Sequence, residues 1–195
     1  IWRENEHYQF TRTDEIRHSV PPEQLFIERC VKMLKPDGRM AIVLPDSILS
    51  NPGLAFIRHW ILTNTRVLAS VDLPSETFQP FVGTQASLLF LERKTKEEIE
   101  YEKESGVQRD YEILMAVPRK VGHDRRGNTI YRRSPEGEEI IMEFGKEITR
   151  VVKGKKVREK VRSLEPIVAD DLPAVGQAFK KRLKEKTIAS SRSAT

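Results

Sequence analysis

One cysteine, four scattered histidines and no apolar run of membrane length set the first limits on this 195-residue sequence. Cys30 alone cannot close an internal disulfide, and its helical neighbours make it core-like rather than nucleophilic. His7, His18, His59 and His123 stand far apart and show no ligand spacing, so no metal site is expected. No Ser/His/Asp grouping argues for hydrolysis, and no glycine-rich Lys-Ser/Thr loop argues for nucleotide hydrolysis. The absence of a 20-residue apolar stretch excludes a helical membrane span, and no leading segment has the layout of a secretory signal. A cytoplasmic location is the simplest expectation. The first residue is Ile1, which fits a piece of a longer chain.

What is plentiful is charge, and it is unevenly spread. The net charge is +5, yet residues 145–195 hold 14 Lys and Arg against 6 Asp and Glu, while residues 1–144 hold 20 against 23. The basic excess belongs to the tail. That balance fits an anionic partner such as nucleic acid, although solubility alone explains many basic tails.

The sequence is organised around residues 39–49. Residues 40–44 are an apolar run of five, bounded by Pro36-Asp-Gly38 in front and Pro45 behind. Such a run between helical patterns predicts a strand buried on both faces of an α/β sheet. Ligands bind beyond the carboxyl ends of the strands in these sheets, which is where Pro45, Asp46 and Ser47 lie. Before this strand, Pro21-Pro22-Glu23 opens a helix carrying Leu25, Phe26, Ile27, Cys30, Val31, Met33 and Leu34. After it, Asn51 caps a Pro52 start, and Leu54, Ile57 and Ile61 mark a helix to about Thr63. Residues 66–73 predict a second strand, parallel to the first by its helical crossover. A third strand over 84–93 comes after only about ten residues, too few for a crossover helix, so it is expected to run antiparallel, at the sheet edge.

Residues 94–106 read as a charge-dense solvated helix or linker. Residues 111–117 read as a further strand, 123–128 as a turn, and 129–131 as a returning hairpin strand. Residues 138–144 and 148–161 mix β-branched valines with a Lys/Arg/Glu helical pattern and settle on neither. Asp170-Asp171-Leu172-Pro173 signals a helix start, with Leu172, Val175, Phe179 and Leu183 at helical spacing behind it. No internal repeat is evident.

The run from Ser19 through Met40 to Asp46 resembles the N6-adenine DNA methyltransferases, above all the modification subunits of type I restriction–modification systems. Asn51-Pro52, Val71-Asp-Leu-Pro74, Glu76-Thr-Phe78 and Gly83-Thr84 followed by Leu88-Leu89-Phe90-Leu91 continue the resemblance over residues 19–94, with a weaker echo in residues 121–128 and 170–173. It implies a seven-stranded methyltransferase sheet in which residues 40–44, 66–73 and 84–93 are the fifth, sixth and antiparallel seventh strands. The implied chemistry is methyl transfer from S-adenosylmethionine to the exocyclic amine of an adenine drawn out of the duplex. The implied partners are DNA, a specificity subunit and a restriction subunit, with no membrane.

The family also uses a glycine-rich turn after its first strand for the cofactor and an Asn/Asp-Pro-Pro-aromatic tetrapeptide after its fourth. This sequence contains neither. Asn51-Pro52-Gly53-Leu54 lacks the second proline and the aromatic, and Val20-Pro21-Pro22-Glu23 lacks the leading Asn and the aromatic. Both motifs are therefore expected to lie before Ile1, which makes this chain inactive by itself and without catalytic residues of its own.

The expected fold is thus α/β: the C-terminal part of a Rossmann-like S-adenosylmethionine-dependent methyltransferase sheet, two parallel strands plus an antiparallel one, with a basic α+β tail. Its expected parts are a loop remnant over 1–20, the half-domain over 21–94, a linker over 95–110, a basic extension over 111–187 and a disordered tail over 188–195. A sheet cut in this way is expected to self-associate through its open edge.

Under the resemblance, Pro45 and Asp46 either line the target-adenine pocket or simply end the strand and form a solvent-facing cap. Phe78 and Phe81 either stack on a base or pack in the core, with core packing favoured for at least one. Gly83 permits a turn, and Thr84 either bonds substrate or begins the strand. Arg125, Arg126 and Asn128 are candidate phosphate contacts, or exposed turn residues without function. The run Lys153, Lys155, Lys156, Arg158, Lys160 and Arg162 is a candidate backbone-binding stripe, or the solvated face of a helix. The rival to the enzyme reading is a non-catalytic nucleic-acid-binding or subunit-assembly module on a methyltransferase scaffold.

Overall fold

A computed structural model describes residues 2–4, 10–12, 19–108, 110–152 and 155–192. Most of the loop expected over 1–20, with His7 and His18, lies outside the described residues, as do Lys153 and residues 193–195. Two short strands, β1 (Trp2–Glu4) and β2 (Phe10–Arg12), pair antiparallel within that first stretch.

The helix predicted after Pro21 is α1 (Pro22–Met33), which sends Ile27 and Val31 inward. Gly38 then closes a tight turn onto Lys35: its N–H donates to the Lys35 carbonyl at 2.9 Å, and a Cβ would sit 2.8 Å from that oxygen. β3 (Arg39–Pro45) leads directly into the short helix α2 (Asp46–Ser50). Asn51 caps a 3-10 turn over Pro52–Leu54 by accepting from the Gly53 N–H, and α3 (Ala55–Asn64) and β4 (Thr65–Asp72) come next. A loop of successive turns brings the chain back as β5 (Ala86–Arg93).

The four-stranded sheet has the order β3, β5, β4, β6, where β6 is Leu114–Ala116. β5 runs antiparallel to both β3 and β4, so those two are parallel to one another, as their crossover predicts. β5 is inserted between them rather than placed at the edge, and both its faces are apolar, as suits a central strand. The edge positions fall to β3 and to β6, which joins β4 in parallel.

This order moves the doubly buried strand. Among the described residues no strand pairs with the outer side of β3, and Ala41 and Val43 are exposed, Val43 at 47%. β4 instead buries Val67, Leu68, Ala69 and Val71 in succession. On one face, Leu44, Val67, Leu89 and Leu91 pack with Ile27 of α1, Ile48 of α2, and Ile57 and Ile61 of α3. Fully burying each such side chain contributes about 1.5–3 kcal/mol, so this layer supplies most of the local stability. On the other face, Phe179 of α5 (Leu172–Arg192) meets Phe90 with ring centroids 4.4 Å apart.

Residues 94–106 are less solvated than their composition suggests. Thr95 and Glu98 form a reciprocal capping box at the start of α4 (Lys96–Ser105), and Gly106 ends it at φ +67°. The Lys94 side chain is only 3% exposed and pairs with Glu102 of α4. Arg66 of β4 binds both carboxylate oxygens of Glu98.

The extension beyond β6 contains a repeat that sequence reading does not find. Residues 122–131 and 132–141 fold into two hairpin units of the same plan, ten residues apart. Asp124 N–H donates to the Asn128 carbonyl as Ser134 N–H does to Glu138, and Ile130 N–H to Gly122 as Ile140 N–H to Arg132. Gly127 and Gly137 take φ +84° and +91° at equivalent positions. The signal was there, in Gly127/Gly137 and Ile130/Ile140, but two copies with different polar residues fall below what pattern reading detects.

A long ribbon comes next: β7 (Ile141–Val152) pairs antiparallel with β8 (Lys155–Pro166) along the whole of both. The β-branched residues decide this segment, so the Lys/Arg run lies on a strand and not on a helix face. The chain then returns under the hairpins, where Arg132 N–H bonds Ile167 and Ala169 N–H bonds Ile130. The helix signal at Asp170-Asp171 holds its place: Asp170 accepts from the Leu172 N–H, and Asp171 clasps the N–H groups of Arg119 and Lys120. α5 continues to Arg192, beyond Ile188 where the sequence reads as unstructured. Among the described residues no helix is long and apolar enough to cross a membrane.

Candidate functional site

Because β3 and β4 are parallel, their carboxyl ends share one rim of the sheet, and β5 begins between them. Pro45 stands opposite Ala86, and Asp72 opposite Ser87. Asp46 closes the β3 side: its N–H donates to the Gln85 carbonyl at 3.0 Å, and its carboxylate accepts from the buried Ser87 hydroxyl at 3.4 Å. On the β4 side the Gln85 amide donates to the Asp72 carboxylate at 3.0 Å and to the Leu73 carbonyl, while Leu73 N–H bonds Ala86. The structure therefore brings Asp46, Asp72, Gln85 and Ser87 into one polar rim. Sequence reading named only Asp46 of these. A polar pair at the start of an otherwise apolar strand was the available signal for Gln85 and Ser87.

Gly83 and Thr84 lie exposed on the approach to β5, at the same end of the sheet. Gly83 does not serve a special turn. Its φ lies outside the left-handed region, and a Cβ there would meet open space.

Residues 75–81 form a chain of turns, with Phe81 and Val82 N–H groups both donating to the Phe78 carbonyl. This winding turns the aromatic rings outward. Phe81 is 92% exposed and Phe78 38%, so the core-packing reading fails for both. The Gln79–Pro80 peptide between them is cis. Glu76 on the same loop holds its carboxylate below the usual range through a bond from its own backbone N–H, then through Ser75 and Arg125.

The first hairpin unit leans on this loop. A Cβ on Gly127 would lie 3.4 Å from Pro80, and the Arg125 guanidinium bonds Glu76 at 3.2 Å. Between them lies an open cleft of about 470 Å³, lined by Gln79, Pro80 and Phe81 on one side and by Val121, His123, Thr129 and Val168 among others on the other. The His123 Nδ1 lies 3.0 Å from the Asp124 carbonyl, which can only accept, so Nδ1 donates in this contact. His123 was legible only as an isolated histidine; nothing in the sequence joined it to Phe81.

The three residues expected at the hairpin tip divide their work. Asp124 accepts from the backbone of Arg126 and Asn128, and its second oxygen accepts from the Asn128 amide. The Asn128 side-chain bond is the largest cause of a depressed Asp124 pKa. Asn128 is thus occupied in locking the turn, and Arg125 in joining two loops. Arg126 is exposed and makes no ion pair among the described residues.

On the ribbon, Lys156, Arg158 and Lys160 are exposed. Lys155 opens β8 opposite Val152, and its side chain lies outside the described atoms. The expected site residues therefore fall into three places: the strand-end rim, the loop and hairpin tip beside the cleft, where Phe81 alone of them lines it, and the ribbon.

A family model described as N-6 DNA Methylase matches residues 2–168. A curated relative, the type I restriction enzyme EcoEI methylase subunit of Escherichia coli, is 30% identical over 102 residues; the match covers 47% of this chain and 21% of that protein. The chain thus spans about a fifth of that relative. Among solved structures, a modification subunit assigned to a type I restriction enzyme of Vibrio vulnificus YJ016 is 30% identical at TM-score 0.35, covering 36% of this chain and 16% of that one. A protein assigned as a class I S-adenosylmethionine-dependent methyltransferase of Listeria monocytogenes is 24% identical at TM-score 0.37, covering 48% and 26%.

Proposed function

The chain belongs to the N-6 DNA methylase family, and on that premise we propose that it forms the target-base side of a DNA methyltransferase. The reaction is transfer of a methyl group from S-adenosylmethionine to N6 of adenine, in a type I restriction–modification system. The observation that carries this reading is the family match across residues 2–168.

The target base must leave the duplex stack to be modified. In this reading Pro45, Asp46, Gly83 and Thr84 line the pocket that receives it, and Phe78 and Phe81 offer apolar faces on which an extruded or neighbouring base stacks. Among the described residues the Asp46 carboxylate accepts from Ser87 through one oxygen, and its remaining acceptor capacity suits an N6 amine hydrogen.

S-adenosylmethionine itself does not fit the residues described. No glycine stands among residues 46–49, 73–76 or 117–120, which directly follow the carboxyl ends of the parallel strands β3, β4 and β6, so the backbone there offers the cofactor no close approach. These 195 residues also contain no Asn/Asp-Pro-Pro-aromatic tetrapeptide. From this we infer that the chain is inactive alone; the similarity to a type I methylase subunit supports a specificity subunit and a restriction subunit as partners of the whole protein.

The test is incorporation of labelled methyl groups into duplex DNA by the product of the whole coding region beside the 195-residue chain. Incorporation by the whole product and none by the chain is expected. Incorporation by neither would favour a non-catalytic binding or assembly module.

A further inference from the structure

We propose that the β7–β8 ribbon is a DNA-gripping arm, and that Lys156, Arg158 and Lys160 on one of its faces bind consecutive phosphates of a duplex. The inference takes DNA as partner from the proposed function and adds the element that holds it.

The geometry begins with period-two alternation. Side chains at i, i+2 and i+4 of a strand share a face, so Lys156, Arg158, Lys160 and Arg162 project together from β8 while Glu159, Val161 and Ser163 project from the other side. Two residues advance a strand by about 6.6–6.8 Å, which sets four cations in a line about 20 Å long. That repeat is comparable to the distance between neighbouring phosphates, and a two-stranded ribbon is narrow enough to follow a groove.

The register then separates the cations that are free to bind from those that are not. Arg162 sits near the base of the ribbon, and its guanidinium pairs with Glu143 at 3.3 Å. Lys160 stands opposite Glu147, Arg158 opposite Thr149, and Lys156 opposite Val151. Acidic residues thus stand beside Arg162 and opposite Lys160 on this face, while Arg158 and Lys156 stand opposite uncharged residues. Among the described residues Lys156, Arg158 and Lys160 make no ion pair, although Arg150 on the opposite face is matched with Glu159 at 3.9 Å. Among the described residues no third strand pairs with either edge of the ribbon.

The experiment uses the full 195-residue chain and a fluorescent duplex made only of G·C pairs, with anisotropy read between about 50 and 200 mM salt. A duplex without adenine keeps the result independent of methyl transfer, so failure of the enzymatic reading leaves this test intact. The Lys156→Gln/Arg158→Gln/Lys160→Gln variant is expected to lower the slope of log affinity against log salt by about 2.7, at about 0.9 per phosphate contact. Lys180→Gln/Lys181→Gln/Lys184→Gln, which removes equal charge from α5, is expected to leave the slope unchanged. Arg162→Gln is expected to change it by less than half as much as Lys156→Gln. Equal slopes for the ribbon variant and the unaltered chain would overturn the proposal, as would equal losses in the two triple variants. Tighter binding of polyglutamate than of the duplex would overturn it as well, by assigning the face to an acidic protein.

Discussion

The Lys94 ammonium lies 2.6 Å from the Glu102 carboxylate and 2.7 Å from the Leu62 carbonyl, in a pocket that leaves the lysine side chain 3% exposed. This pair joins the end of β5 to α4 and to the last turn of α3. Removing one member of a buried pair leaves the other charge unpaired, which costs about 3–5 kcal/mol. Lys94→Ala is therefore expected to lower the denaturant midpoint sharply. Lys94→Met with Glu102→Leu should recover most of the loss, because an apolar pair of similar volume removes both desolvated charges. A double variant no more stable than Lys94→Ala would contradict the account of this contact.

The two-unit repeat makes a second comparison. Gly122 has φ +85° with Val168 only 2.9 Å from the position of a Cβ, whereas Gly137 has φ +91° with nothing nearby. Gly137→Ala carries only the backbone penalty, about 1–2 kcal/mol. Gly122→Ala adds overpacking of about 1–3 kcal/mol. Urea unfolding should rank Gly122→Ala well below Gly137→Ala, and equal midpoints would mean that the chain beneath the hairpins yields freely.

Phe81 separates stability from binding. Substitution of so exposed a ring by alanine should change stability by less than about 0.5 kcal/mol. If it stacks on a base, Phe81→Ala should weaken binding of a duplex carrying an unpaired adenine by about 1–3 kcal/mol, a loss of roughly 5- to 150-fold. Titration of such a duplex with unaltered and variant chain measures this; unchanged affinity would remove Phe81 from the site.

The open side of β3 predicts association. Among the described residues the outer edge of β3 has no partner strand, and with Ala41 and Val43 exposed it invites a second strand; Arg39 at its beginning is already engaged with Glu92. Sedimentation velocity of the 195-residue chain should show mass rising with concentration. A single monomeric species at high concentration would count against this.

How much of this was legible depends on where periodicity is strong. Residues 40–44, 66–73 and 84–93 announced their strands because apolar runs bounded by proline and glycine have few other uses, and the short connection before Ala86 required an antiparallel strand. The insertion of that strand between its partners was not legible, since adjacency is decided by packing across elements. Lys94 looked solvated because a charge-dense segment hides the one lysine that is buried. The ribbon was hidden by valines alternating with lysines and arginines, a pattern that a helix face and a strand both accept until a partner strand settles it. Asp46 could be found from its place after a strand, while Ser87 and His123 become part of a site only when loops distant in sequence meet.

The most direct measurement is the identity of the nucleoside changed by the whole coding product. Duplex DNA incubated with that product and S-adenosylmethionine is digested to nucleosides and weighed by mass spectrometry. The account predicts deoxyadenosine heavier by one methylene, with the methyl group on N6. Methylated cytosine, or DNA that remains unmodified, would contradict it.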